Sequence, residues 1–199
     1  MSEHPRSSNT SIRAYRMTNR ATQVDQTRHR IVEAAVHLHG TVGPAHTTVA
    51  AIAETAGVTR LTVYRHFPDT NSLFDACTAH WAAQQQLPDH DAWLLVHEPR
   101  DRLHTGLSDL YRFFADAASM LTRTTRDWDE IPDFVRERTA QRDRLSAETL
   151  LSAWPKRQQT ATRAALVRHA VSFSTWRSLC LDQGMSNRDA VAAMVKLIC

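Results

Sequence analysis

The first regular pattern along the chain is a stripe of apolar residues, Ile31, Ala35, Leu38 and Val42. Their spacing puts them on one face of a helix that starts near Asp25. Gly40, Gly43 and Pro44 end it. A short helix follows, which either Thr47 or Thr48 can cap. A second runs from about Thr59 to His66. A third begins near Asp69 or Thr70, with Leu73, Phe74, Cys77 and Trp81 on its inner side. Residues 84–99 read as a connector punctuated by Pro88 and Pro99, with Trp93, Leu94 and Leu95 docked back on the core.

A long helix is predicted from Pro99 and Arg100, with the stripe Leu103, Leu107, Leu110, Phe114, Ala117 and Leu121. Pro132 opens a strongly charged helical stretch that ends before Pro155. Another helix spans about Gln158 to Asp182 and stops at Gly184, a residue suited to the left-handed backbone after a helix. The last starts at Ser186, with Asp189 three residues on as its capping-box partner. No strand-like alternation occurs, so the fold class is all-α. Residues 1–24 are rich in Ser, Thr, Asn and Arg, poor in apolar groups, and read as a flexible arm.

Composition narrows the function. With 42% hydrophobic residues in 199, the chain can build a core. The longest apolar run, Ala190 to Val195, is far short of a membrane span. No apolar stretch follows the N-terminal arginines, so no secretory signal is read and a cytoplasmic location is expected. Three dispersed cysteines argue against a disulfide framework or a thiolate zinc site. The histidines, His37 and His39 among them, read as solvated or capping groups, and no metal or other cofactor is expected. Net charge is +3, but residues 1–30 hold six arginines against Glu3 and Asp25. Such a segment suits a nucleic-acid arm or a passive tail, and the residues leave both open.

The informative segment is TVAAIAETAGVTRLTVYRHF, Thr48 to Phe67. Ala53 is small where the second helix would cross the first. Gly57 stands where the turn needs a left-handed backbone. Ile52, Ala56, Val58, Val63 and Phe67 would tie both helices to the one containing Ile31. Left outward on the second helix are Thr59, Arg60, Leu61, Thr62, Tyr64, Arg65 and His66. That short basic face, rich in hydroxyls, has the chemistry of a major-groove reader. An ordinary helical hairpin would explain the apolar positions but not this face.

From Ile31 through Leu73 the sequence resembles the DNA-binding domain of the TetR family: IVEAAVHLHG, TTVAAIAETAGV, TRLTVYRHF and PDTNSLF. The resemblance implies phosphate contacts by Thr48, Thr62, Tyr64 and His66, and base contacts by Thr59, Arg60, Leu61 and Arg65. Two positions depart from the family pattern. Leu61 replaces a frequent Gly or Pro, and either touches a thymine methyl or packs on a neighbour. Thr70 stands where Lys is frequent, which weakens one phosphate contact. Residues 172–195 are similar to the last two helices of many members, which pair with a second copy in a four-helix bundle. Apolar residues around most of the circumference of the penultimate helix support that pairing independently. Val171, Leu179, Val191 and Met194 are the expected interface residues.

The central helices concentrate aromatic residues. The family implies a small-molecule pocket there, for which Tyr111, Phe114, Trp128, Phe134, Phe173 and Trp176 are the expected lining, with Arg112, Thr175 or Arg177 as polar groups. The sequence thus divides into an arm (1–24), a three-helix DNA-binding domain (25–75) and a helical effector-binding and dimerisation domain (76–199). The expected protein is a homodimeric repressor released from a palindromic operator by a small molecule. No GxSxG, HExxH or phosphate-binding glycine loop suggests an enzyme. An architectural DNA-binding protein without effector is the competing class, and the sequence does not decide between repression and activation.

Overall fold

In the computed structural model, the backbone is described for residues 8–199 and the side chains from residue 21 on. Eleven α-helices follow one another among these residues, without a strand. The first four are α1 (Ser8–Thr41), α2 (Val49–Ala56), α3 (Arg60–His66) and α4 (Thr70–Ala83). They enclose a small core in which Ile31, Val32, Ala35, Ile52, Val63 and Phe67 are buried. The remainder comprises α5 (His90–Leu94), α6 (Pro99–Asp116), α7 (Ala118–Arg126), α8 (Asp133–Leu151), α9 (Ala161–Ala170), α10 (Phe173–Trp176) and α11 (Asn187–Ile198). Here α6 is central and packs against α5, α8, α10 and α11. No described helix is long and apolar enough to cross a membrane.

Several boundaries differ from the sequence expectation. Helix α1 begins at Ser8, so residues 8–24, expected as a flexible arm, are helical, and only 1–7 lie outside the described residues. That stretch has no apolar stripe to betray it, yet no Gly or Pro interrupts it before Gly40 and several of its residues are strong helix formers. Val42, expected on the buried stripe, is exposed because the helix has already ended. Of the connector residues only Trp93 is buried; Leu94 and Leu95 face solvent. The helix expected over 158–182 is split. The Ser172 hydroxyl accepts from Thr175 N and caps α10, while the Thr175 hydroxyl donates to the carbonyl of His169. The chain then widens into a π-helical stretch, Arg177–Asp182.

The two cores are joined through the end of α1. A helix leaves its last carbonyls without internal partners. Here Gly40, Thr41 and Val42 receive hydrogen bonds from Ser119 Oγ, Arg123 Nε and Arg126 Nη2 of α7, at 2.9, 2.6 and 2.8 Å. Two guanidinium charges at the negative end of the helix dipole add to the bonds. The neighbouring Asp127 carboxylate accepts from Ala45 N at 3.1 Å and from Arg126 Nε at 2.6 Å. The Arg126 bond holds its carboxyl at about 2.

Gly43 lies inside this joint with φ +97° and ψ 160°, a backbone region that side chains strongly disfavour. A Cβ there would also run into Arg126 and Asp127. Gly43→Ala is therefore expected to lower stability by ~1–3 kcal/mol, read as a lower midpoint in denaturant unfolding. An unchanged midpoint would show that the joint yields.

Candidate nucleic-acid interface and adjoining cavity

Helices α2 and α3 are set against each other by backbone chemistry. Gly57 adopts φ 64° and ψ 41°, its N–H donates to Glu54 O at 3.1 Å, and Val58 N donates to Ala53 O at 2.9 Å. These paired bonds close the end of α2 in a left-handed turn. Thr48 caps α2 by accepting from Ala51 N, and Thr59 caps α3 by accepting from Thr62 N. Val63 and Phe67 are buried beneath α3.

On its outer side Arg60, Leu61, Tyr64 and Arg65 are exposed, while Thr62 and His66 are half-buried. Leu61 is 71% exposed, so it does not pack on a neighbour. Neither guanidinium bonds to any described residue. The Thr59 hydroxyl, expected at a base, also shares a 2.9 Å hydrogen bond with that of Thr62. Thr48 accepts at its oxygen and keeps its hydroxyl proton to donate. Among the arginines before α2, Arg28 stacks 4.7 Å over the Phe67 ring behind the motif.

Beside this unit lies a cavity of about 150 Å³. Its walls come from α1 and α4 on one side and from α7, α8, the turn between them and Phe173 of α10 on the other. Of the aromatic residues expected to line a pocket, Trp128 and Phe173 do so. Tyr111, Phe114 and Trp176 do not. They are buried in the core around α6, where Tyr111 donates to Ala170 O and Trp176 Nε1 donates to Asn187 Oδ1, at 3.1 and 2.8 Å. With their polar groups satisfied internally, they form packing. Phe134 also lies off the wall, under the Arg138 guanidinium.

The sequence missed His39, Phe74, Trp81 and Met120, which do line the cavity. His39, read as solvated or capping, is buried and stacks on Phe74 with ring centroids 4.8 Å apart. Its position four residues after Ala35 and eight after Ile31 was the available signal. Burial lowers its pKa to about 4 and raises that of the adjacent Cys77 thiol to about 12. Arg142 and Asp143 share the wall, 3.7 Å apart. Val171 and Val191, expected at a dimer interface, are within the chain's own core; Leu179 and Met194 remain partly exposed. The four expected positions divided because burial of one helix is decided by neighbours distant in sequence. Among the described residues no group of three or more His, Cys, Asp or Glu is placed to hold a metal.

Residues 31–77 match the family model described as bacterial regulatory proteins, tetR family. Over these residues the chain is similar to the DNA-binding segment of that family. Two solved structures share the fold. One is a TetR-like transcriptional regulator from Rhodococcus sp. RHA1, 19% identical, covering 86% of this chain and 93% of its own, with a TM-score of 0.58. The other is a tetR-family transcriptional regulator from Streptomyces coelicolor, 17% identical, covering 87% and 79%, with a TM-score of 0.59. No curated protein matches the chain. The matched segment takes in the end of α1, from Ile31, then α2, α3 and the first half of α4, and so contributes His39 and Phe74 to the cavity wall.

Two expectations follow. Arg65→Ala should weaken operator binding by ~1–3 kcal/mol and relax preference at one base pair. A uniform loss with a shallower salt dependence would instead place Arg65 on a phosphate. His39 is neutral in the folded protein, whereas an unfolded histidine titrates near 6.5. Its contribution is thus complete above that pH and is lost, by up to ~3 kcal/mol, as pH falls towards 4. Stability measured across this interval should fall more steeply for the natural protein than for His39→Leu; parallel profiles would refute the assignment.

Proposed function

We propose that the chain is a homodimeric TetR-type repressor that acts in the cytoplasm, without catalysing a reaction, and leaves a palindromic operator when a small molecule fills the cavity beside α1 and α4. The observation that carries this reading is the outer face of α3, where two exposed arginines and a tyrosine have no partner among the described residues. Donors so placed suit phosphate oxygens and the O6 and N7 atoms of guanine. Thr48, Thr59, Thr62, Tyr64 and His66 complete the proposed DNA surface with Arg60, Leu61 and Arg65. Residues 8–24 belong to α1 and carry three further arginines, Arg13, Arg16 and Arg20.

The proposed dimer uses the outer sides of α10, its π-helical extension and α11. Leu179 and Met194 belong to that face, and Leu181 and Leu197, about half exposed, extend it. Twofold pairing would present two copies of α3 to two half-sites. The cavity supports release because its walls span both domains, so a molecule that prefers one arrangement of them shifts the population towards it.

Selection of bound duplexes from a random pool tests the reading. A palindromic consensus with two half-sites is expected. Tight binding with no consensus would instead identify an architectural protein, and no binding at low salt would remove the DNA-binding reading altogether.

A further inference from the structure

The polar fittings of the cavity define the class of molecule that suits it. Phe74, Trp81, Met120, Trp128 and Phe173 supply mostly ring and thioether surface. Three wall threonines, Thr78, Thr124 and Thr139, donate their hydroxyls to carbonyls of their own helices, at 2.7, 3.0 and 3.0 Å. None of these hydroxyls has a proton left for a ligand. The Arg142 and Asp143 charges stand together and offset each other, so the wall favours neither sign.

His39 is the most buried of the polar wall groups left without a hydrogen bond to a described residue, the others being the Thr125 hydroxyl and the indole N–H groups of Trp81 and Trp128. It is only 7% exposed, lines the cavity, and its ring nitrogens bond to no described residue. Desolvation keeps the ring uncharged, so one nitrogen donates and the other accepts. Its nitrogens open onto the cavity space and are not sealed in protein, so a ligand hydroxyl can pair with one of them, and a ligand without a polar group would leave it unmatched. An apolar cavity of about 150 Å³ is known to take a single benzene ring, and this one has the same volume.

We propose that the cavity takes an uncharged, single-ring aromatic molecule bearing a hydroxyl group, a phenol, whose oxygen pairs with the His39 ring. This rests on the effector reading above and names its ligand class. The pairing also explains how occupancy reaches the DNA-binding domain. His39 belongs to α1 and stacks on Phe74 of α4, the helices that flank α2 and α3. A ligand held at His39 is therefore held by that domain, while Trp128 holds its other side to the effector domain.

The test compares phenol, toluene and benzoate on the full chain, by calorimetry and by quenching of tryptophan fluorescence. Phenol should bind about tenfold more tightly than toluene, the gain from one neutral hydrogen bond to a buried partner. Benzoate should bind more weakly than phenol. His39→Leu should erase the preference for phenol while keeping toluene binding, and His39→Gln, which retains donor and acceptor, should restore part of it. Equal binding of toluene and phenol, a preference that survives His39→Leu, or tightest binding by benzoate would overturn the proposal. If His39→Leu does not fold, His39→Gln and the three-ligand series still decide it. Phenol should also loosen operator binding by the natural protein but not by His39→Leu. Phenol binding as described with no effect on a bound operator overturns the coupling alone. Phenol binding by a protein that ignores duplex DNA overturns the repressor reading and leaves the site.

Discussion

The capping of α1 by α7 is the constraint on which the rest of the molecule depends. Three carbonyls at the end of one helix meet a serine and two arginines from another about 80 residues away in sequence. Left bare, those carbonyls would need water, and the two small cores would have little to fix their relation. Satisfied this way, they set the direction in which the chain leaves α1. They also position Gly43 and the short turn Pro44–His46 that leads into α2. The cavity lies beside this joint, so its shape follows from the same contacts.

The helices from α5 to α11 show how aromatic residues divide between packing and lining. Tyr111 and Trp176 have their polar atoms bonded inside the core, and Asn187 links the two by donating to Tyr111 O while accepting from Trp176. Such a fully satisfied network holds α6, α10 and α11 in one arrangement. Gly106 adds to the closeness of packing, since a side chain there would strike Leu150 and Trp93. The cavity, in contrast, lies where helices belonging to the two cores face each other. Space is easier to retain there than inside a core built around one central helix.

What the sequence made legible was local. Thr48, one of two candidates, caps α2, Ser186 caps α11, and Gly57 takes the left-handed turn, because such signals act within three or four residues. The split between the buried and exposed sides of α3 was equally readable from a single turn of helix. The N-terminal half of α1 was hidden because its residues carry no apolar period. The cavity was hidden because its walls come from segments as far apart as Val36 and Phe173. Val171 and Val191 look like surface for a partner until Val167, Phe114 and Ile198 are seen to share their core.

The doubly bonded turn at Gly57 has a consequence for how such a protein can be regulated. A junction closed by its own main chain, above a core of Ile52, Val63 and Phe67, has little freedom to flex. In the proposed regulator the α2–α3 unit would then be rigid, and a signal arriving through α1 or α4 would swing it as a whole. In the proposed dimer, recognition of each half-site and measurement of the gap between half-sites become separate properties: the first written in the eight residues from Thr59 to His66, the second in the angle at which two stiff heads are carried.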